Sequence, residues 1–174
     1  MTRRLAEPIR QAMTRHGAPI VIALGANLGD RSQSLDAAVR EIAELPLTSD
    51  VVCSDPVSSV AMTRDGPDPT KPGYLNAVAT ARTRLAPSLL LAGLHAIEQR
   101  HGRVRFERWG DRTLDLDLIA YGAITSDDER LTLPHPRAHE RDFVLAPWLA
   151  VDPDAHLPGH GAVADLVATL AEAT

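Results

Sequence analysis

Thr113-Leu114-Asp115-Leu116-Asp117-Leu118-Ile119-Ala120-Tyr121 is the most regular strand in the chain, and the rest of the sequence is read outward from it. Successive side chains of an extended strand point to opposite faces, so Leu114, Leu116 and Leu118 share one face and Asp115 and Asp117 the other. The leucines anchor the strand in a core. The two carboxylates then sit together near the centre of the domain. Like charges so close repel, and one would take up a proton unless a cation lies between them. A hard divalent ion such as Mg2+ resolves the conflict, commonly with one or two carboxylates plus substrate phosphates. The competing reading is an amphipathic edge strand with a solvated aspartate face, and a lone D-x-D favours it.

The residues just before the strand shift that balance. Arg100, Arg103, Arg105, Arg108 and Arg112 fall within thirteen residues, against only Glu107 and Asp111, in a chain whose formal net charge is -5. Guanidinium groups stay charged and bond phosphate oxygens in a bidentate way. A basic loop running into D-x-D resembles half of a nucleotide-triphosphate site, with the acids on the metal and the arginines on the phosphates. A solvated charged loop is one alternative. Single-stranded nucleic-acid binding, with Trp109 or Phe106 as a stacking platform, is another. The acidic net charge and the 3% aromatic content weigh against the latter.

Working outward, Ile20 to Leu24 is an apolar run suited to a central strand buried on both faces. Ser34 can cap a helix carrying Leu35, Ala38, Val39 and Ile42, which Pro46 ends. Val51 to Ser54 is the next strand. From Asp55 to Gly73 the spacing of Pro56, Gly66, Pro67, Pro69, Pro72 and Gly73 predicts a long irregular loop. Tyr74 to Arg82 is a strand, and Pro87 opens a helix through Leu90, Leu91, Leu94 and Ile97. Asp127-Asp128 marks a turn, Arg137 to Leu149 is partly helical, and Val163 to Ala173 closes the chain as a helix. The order β-α-β-β-α-β predicts an α+β class: a ferredoxin-like three-layer α/β/α sandwich with a mostly antiparallel central sheet. Residues 1–18 read as an N-terminal extension and 19–174 as a single domain.

At 174 residues the chain can bury one substantial core, and 44% apolar with 24% charged residues is an ordinary globular balance. The single cysteine, Cys53, suits a reducing cytoplasm and reads as a buried structural thiol. No apolar stretch reaches the roughly 20 residues of a membrane helix. These features predict a cytoplasmic protein, acting as a monomer, with no nucleic-acid or membrane partner.

No G-x-x-x-x-G-K-[ST] loop is present, so ATP would be held by side chains; the glycines of Gly25-Ala26-Asn27-Leu28-Gly29 serve turn geometry on this reading. Tyr74 and Asn76 lie on one face of a strand, where a ring beside an amide suits a flat heterocycle with mixed hydrogen-bonding edges. The residues alone equally allow core packing for Tyr74. His135 and His139 have zinc-like spacing, but Pro134 and Pro136 oppose a helix there, and zinc is rejected.

Together these residues resemble a family. Arg108-Trp109-Gly110-Asp111-Arg112-Thr113-Leu114-Asp115-Leu116-Asp117-Leu118-Ile119 is similar to the signature of 6-hydroxymethyl-7,8-dihydropterin pyrophosphokinase. Four further stretches follow in order: Ala23-Leu24-Gly25-Ala26-Asn27-Leu28-Gly29-Asp30, Tyr74-Leu75-Asn76-Ala77, Ile97-Glu98 before Gly102-Arg103, and Leu133-Pro134-His135-Pro136 before Arg141-Asp142-Phe143. They span roughly residues 20 to 150, and the arginine-to-D-x-D signature is highly specific.

The resemblance implies transfer of pyrophosphate from ATP to 6-hydroxymethyl-7,8-dihydropterin in folate biosynthesis, with release of AMP. It implies two Mg2+ ions on Asp115 and Asp117, and a catalytic set of Arg103, Arg112, Asp115 and Asp117. ATP would be met by Glu98, Arg103, Arg105, Arg112, Arg130, Thr132, His135 and Arg141. The pterin would lie between Tyr74 and Phe143, with Asn76 on its edge, Trp109 closing over it and Ser59 in the neighbouring loop. In two places the chain departs from the pattern. The stretch Val57-Ser58-Ser59-Val60-Ala61-Met62 lacks the usual aromatic and prolines, with Ser59 where the family has threonine. Asp111 stands where proline is common.

The rival readings are a metal-dependent phosphohydrolase, which releases phosphate without a pterin, and a non-catalytic binder of nucleotide or single-stranded RNA, which is strongly salt-dependent.

Overall fold

In the computed structural model, which describes residues 16–63, 66–102 and 113–173, the chain runs β1 (Ala18–Ala26), α1 (Arg31–Ala43), β2 (Thr48–Cys53), β3 (Val57–Ser59), β4 (Ala61–Thr63), β5 (Gly66–Asp68), β6 (Tyr74–Thr83), α2 (Pro87–Arg100), β7 (Asp115–Tyr121), β8 (Ser126–Asp128), β9 (Leu131–Leu133), a 3-10 turn (Ala138–Glu140), α3 (Asp142–Val151), β10 (His156–Leu157), β11 (Gly161–Ala162) and α4 (Val163–Glu172).

The apolar β1 is central because its residues are buried on both faces. The sheet order is β2-β6-β1-β7, with β3 continuing the pairing along β6, and every pair is antiparallel. Two split βαβ units therefore interlock. In one, β6 lies between β1 and β2; in the other, β1 lies between β6 and β7. This is the α+β sandwich that the element order predicts.

One face of the sheet presents Ile20, Ile22, Leu24, Ala77, Ala79, Ala81, Leu116 and Leu118 to Leu35, Ala38 and Ile42 of α1 and to Leu90, Leu94 and Ile97 of α2. The alanines of β6 leave room for the branched side chains of both helices. Each fully buried Leu or Ile contributes about 1.5–3 kcal/mol. On the other face Val21, Val78, Ile119 and Ala120 pack against Val144, Leu145 and Trp148 of α3 and against Val163 at the start of α4.

Several sequence expectations shift. Strand β1 begins at Ala18, which is 1% exposed and pairs with Thr83, one residue inside the expected extension. Helix α1 is capped by Asp30, whose Oδ1 accepts from Gln33 N–H, so it starts three residues before Ser34. The stretch 55–73 is not wholly irregular, because β3, β4 and β5 lie within it. Asp127 and Asp128 belong to a strand of the β8–β9 hairpin instead of its turn. The strand expected from Thr113 starts at Asp115, and its register against β1 shifts between Val21 and Ile22, which leaves Ile119 as an extra residue. That bulge lets Ile119 and Ala120 both face α3 and α4.

Candidate active site

The register of three strands sets the floor of a cavity of about 310 Å3. Gly25, near the end of β1, pairs with Asn76 of β6 on one side and with Asp115 of β7 on the other. Residues paired in this way share a face, so an amide and a carboxylate flank a backbone position that has no side chain. A methyl group on Gly25 would meet Asn76 Oδ1 at 3.4 Å and Tyr74 Cδ1 at 3.7 Å. Gly25 lies in a strand and gives close approach to the cavity, whereas the turn that follows uses Gly29, at φ 64°. This corrects the turn reading of Gly25, and an isolated glycine inside a strand pattern is the signal that could have revealed it.

One step along β7, Asp117 pairs with Ala23 and lines the same cavity as Asp115. The strand alternation thus puts both carboxylates where the sequence predicted, with Leu114, Leu116 and Leu118 at most 4% exposed on the opposite face. Arg141 and Phe143 straddle the start of α3, and both reach the cavity. The Arg141 guanidinium stands 3.6 Å from Asp117 Oδ2 and 5.7 Å above the Phe143 ring. His135 Nε2 stands 3.9 Å from the same carboxylate oxygen. His135 N–H donates to Ile119 O at 2.8 Å, which binds the segment after β9 to β7.

Arg137 N–H donates to His135 Nδ1 at 3.2 Å, so the neutral imidazole carries its proton on Nε2, toward Asp117. Burial holds the imidazole below its ordinary value; Asp117 pulls it back up, and Arg141 pushes it further down. Burial also lowers Arg141, against the opposing attraction of Asp117. One guanidinium and one imidazole thus lie beside two aspartates, so the site offers donors to anionic oxygens and carboxylates to a cation within one cavity.

On the far wall, β3 pairs with β6 in the register Ser59↔Tyr74 and Val57↔Asn76. Asn76 Nδ2 donates to Ser59 Oγ at 2.8 Å, which fixes the plane of the amide. Tyr74, Asn76, Ser59 and Phe143 therefore line one cavity with Asp115, Asp117, His135 and Arg141. Val60 and Val144, which sequence reasoning did not select, complete the apolar lining. Val60 lies between β3 and β4 and Val144 in α3, and as ordinary valines they carry no sequence signal.

Three expected nucleotide-side residues are elsewhere. Glu98 is 1% exposed beneath β7, and its Oε1 accepts from Leu116 N–H at 2.8 Å. Arg130 and Thr132 are in the β8–β9 hairpin, where Arg130 N–H donates to Asp128 Oδ1 and Thr132 Oγ1 to Asp128 O. None of the three is among the residues lining the cavity. Arg103, Arg105, Trp109 and Arg112 lie outside the described residues. Among the described residues no cluster of three acidic, His or Cys side chains forms a ready metal cage. Two carboxylates on one face still fit a hard cation that takes its remaining ligands from phosphate and water.

Fold and cavity together give an α+β sandwich in which two aspartates, an imidazole and a guanidinium face two aromatic rings and an amide. The profile of the 7,8-dihydro-6-hydroxymethylpterin-pyrophosphokinase (HPPK) family matches residues 21–153. The chain is 42% identical over 151 residues to the 2-amino-4-hydroxy-6-hydroxymethyldihydropteridine pyrophosphokinase of Haemophilus influenzae, covering 87% of this chain and 92% of that one. It is 43% identical over 139 residues to the Synechocystis protein of the same name, covering 80% and 68%. The Pseudomonas aeruginosa protein of that name is 39% identical over 154 residues, covering 86% and 90%. In fold it is similar to Plasmodium falciparum HPPK-DHPS A437G solved with SDX-DHP, at TM-score 0.67 and 12% identity, over 91% of this chain and 46% of that one. A second HPPK-DHPS, solved in complex with substrates, gives TM-score 0.60 at 12% identity, over 90% and 44%. The chain thus spans less than half the length of these solved chains, and at such identity they show the fold alone. The chain belongs to the 7,8-dihydro-6-hydroxymethylpterin-pyrophosphokinase family.

Proposed function

We propose that this chain transfers pyrophosphate from ATP to 6-hydroxymethyl-7,8-dihydropterin and releases AMP, a step of folate biosynthesis. The observation that carries the reading is one cavity with two chemically distinct halves. Asp115, Asp117, His135 and Arg141 form one half; Ser59, Tyr74, Asn76 and Phe143 form the other.

The flat pterin lies between the rings of Tyr74 and Phe143, and Asn76 meets its edge with an amide oriented by Ser59. Arg141 and His135 hold phosphate oxygens and orient the chain of phosphates toward the pterin hydroxymethyl group. The hydroxymethyl oxygen attacks the β-phosphorus in line, and the α-phosphate leaves as part of AMP. The residues act by positioning and by offsetting charge, and no strong general base is required. Asp115 and Asp117 are the residues that would hold Mg2+, which when bound neutralises phosphate charge. Arg103 and Arg112 belong to the catalytic set on the same reading, and Arg105 to the phosphate side. On the same reading Glu98 acts from beneath β7, Arg130 and Thr132 would meet the nucleotide only where it extends beyond the cavity toward the β8–β9 hairpin, and Trp109 closes over the pterin.

The same reading has one catalytic domain, which takes in Ala18 at the start of β1 and works as a monomer in the cytoplasm. The lone cysteine suits a reducing cytoplasm, and no helix among the described residues is long and apolar enough to cross a membrane.

A phosphorus NMR time course with Mg2+-ATP, run with and without reduced hydroxymethylpterin, tests the reaction. The expected result is pterin-dependent AMP and a pyrophosphorylated pterin. ADP, or phosphate released without pterin, would overturn it.

A further inference from the structure

We propose that Arg31 is a positioning residue for the pterin half of the cavity: its guanidinium holds the Gly73 carbonyl, and with it the strand start that carries Tyr74. The inference rests on the assignment of that half to the pterin.

Arg31 is the first residue of α1, where a cation faces the positive end of the helix dipole. The first turn holds no acid of its own to offset it, and Asp30 is already engaged as the cap. The helix dipole gives no reason for an arginine there. Its side chain instead crosses to a segment 42 residues away, and Nη1 donates to Gly73 O at 2.6 Å in a half-buried setting.

Gly73 is the last residue before Tyr74, and it is tightly confined. A methyl group on it would stand 2.9 Å from Ser59 O, so Gly73 lies directly against the end of β3. The ladder shows why this point needs an anchor. Pairing of β6 with the long central β1 ends at Ala26↔Leu75, so Tyr74 lies one residue beyond it. Tyr74 has its ladder partner in Ser59, at the end of a strand only three residues long. A ring that must lie flat against a heterocycle is thus carried where β6 has the three-residue β3 as its ladder partner. The charge-assisted bond from Arg31 fastens that end of β6 to the rigid N-terminus of α1. Asn76, one pair inside the ladder, is held by β1 whether or not Arg31 is present.

The test uses the full chain and its variants Arg31→Ala and Arg31→Lys, with steady-state constants for both substrates and amide hydrogen exchange. Arg31→Ala is expected to raise the pterin KM roughly tenfold, inside the up to ~100-fold loss that a 1 Å misplacement produces. The ATP KM stays within about twofold, since the phosphate half is built on β7 and α3. Arg31→Lys, which keeps a cationic donor, recovers most of the loss. Amide exchange across residues 73–75 accelerates in Arg31→Ala while that of the β1 core stays unchanged. An unaltered pterin KM in an active enzyme, or pterin and ATP constants rising together, would overturn the proposal. If the unmodified chain turns over no pterin, the assignment of the cavity fails, and this inference fails with it.

Discussion

Glu98 accepts a hydrogen bond from the backbone N–H of Leu116, and so a buried carboxylate on α2 braces the backbone between Asp115 and Asp117. Among the described residues β7 is an edge strand of the main sheet, paired on one side with β1. Its outward N–H groups need partners from elsewhere. Glu98 supplies one at the point where the strand must hold two carboxylates side by side.

Removing that brace has a measurable cost. Glu98→Ala leaves the Leu116 N–H buried without this acceptor and is expected to lose about 1–3 kcal/mol of stability in urea unfolding. Turnover should fall with it, because both aspartates ride on the same backbone. Glu98→Gln keeps an acceptor oxygen and should be closer to the unmodified protein. An unfolding midpoint unchanged in Glu98→Ala would remove the brace from the account.

The aspartates themselves are expected to separate catalysis from pterin binding. Asp117→Asn should lower kcat by at least about a hundredfold, the scale of losing one charge-stabilising group in a preorganised site. Pterin affinity, read by fluorescence titration with a non-hydrolysable ATP analogue, should change far less, because Tyr74, Asn76 and Phe143 are untouched. Full activity in Asp117→Asn would exclude a metal role for it.

A second ion pair makes stability depend on pH. Glu41 on α1 bonds Arg100 Nε at 2.8 Å and His101 Nε2 at 2.6 Å, joining α1 to the end of α2. Burial pushes the Glu41 carboxyl up, but the bonds from His101 and Arg100 outweigh it, and the group lies below its ordinary 4.5. A lowered folded-state value means that the stabilisation is present above the unfolded value and is lost as pH falls through the folded one. Glu41→Gln should therefore melt lower than the unmodified protein at pH 7, and the difference should shrink below about pH 4. A difference that persists unchanged at pH 3 would contradict this.

Cys53 offers a check on packing. It is half-buried against the α1–α2 core, and burial, then Asp36 and Asp55, raise its thiol above the ordinary 9.0. Thiolate is the reactive form, so iodoacetamide at pH 8 should label the native protein at least about tenfold more slowly than the urea-unfolded chain. Equal rates would show an open β2 edge.

The sequence made the layers legible because period-2 and period-3.6 patterns survive in the apolar residues. The Leu–Asp alternation of β7 predicted the face of each carboxylate, and Pro87 predicted the start of α2. What stayed hidden depends on partners distant in the chain. Asp30 outcompetes Ser34 as a cap because its side chain reaches Gln33 N–H from outside the helix. Gly25 looked like part of a turn until its register between Asn76 and Asp115 was known. The bond of Glu98 to Leu116 N–H stayed hidden because its place in a motif says nothing of the direction its carboxylate takes.

The central place of β1 also bears on how the protein is made. Among the described residues the first strand to leave the ribosome is the one flanked on both sides, and Ile20 awaits Ala81 on one side and Tyr121 on the other. At 5–20 residues per second, about 100 residues of further synthesis takes roughly 5–20 s. β6 arrives about 60 residues after β1 and β7 only at the end of that interval, so until then one edge of Ile20, Ile22 and Leu24 stays open and the cavity cannot form.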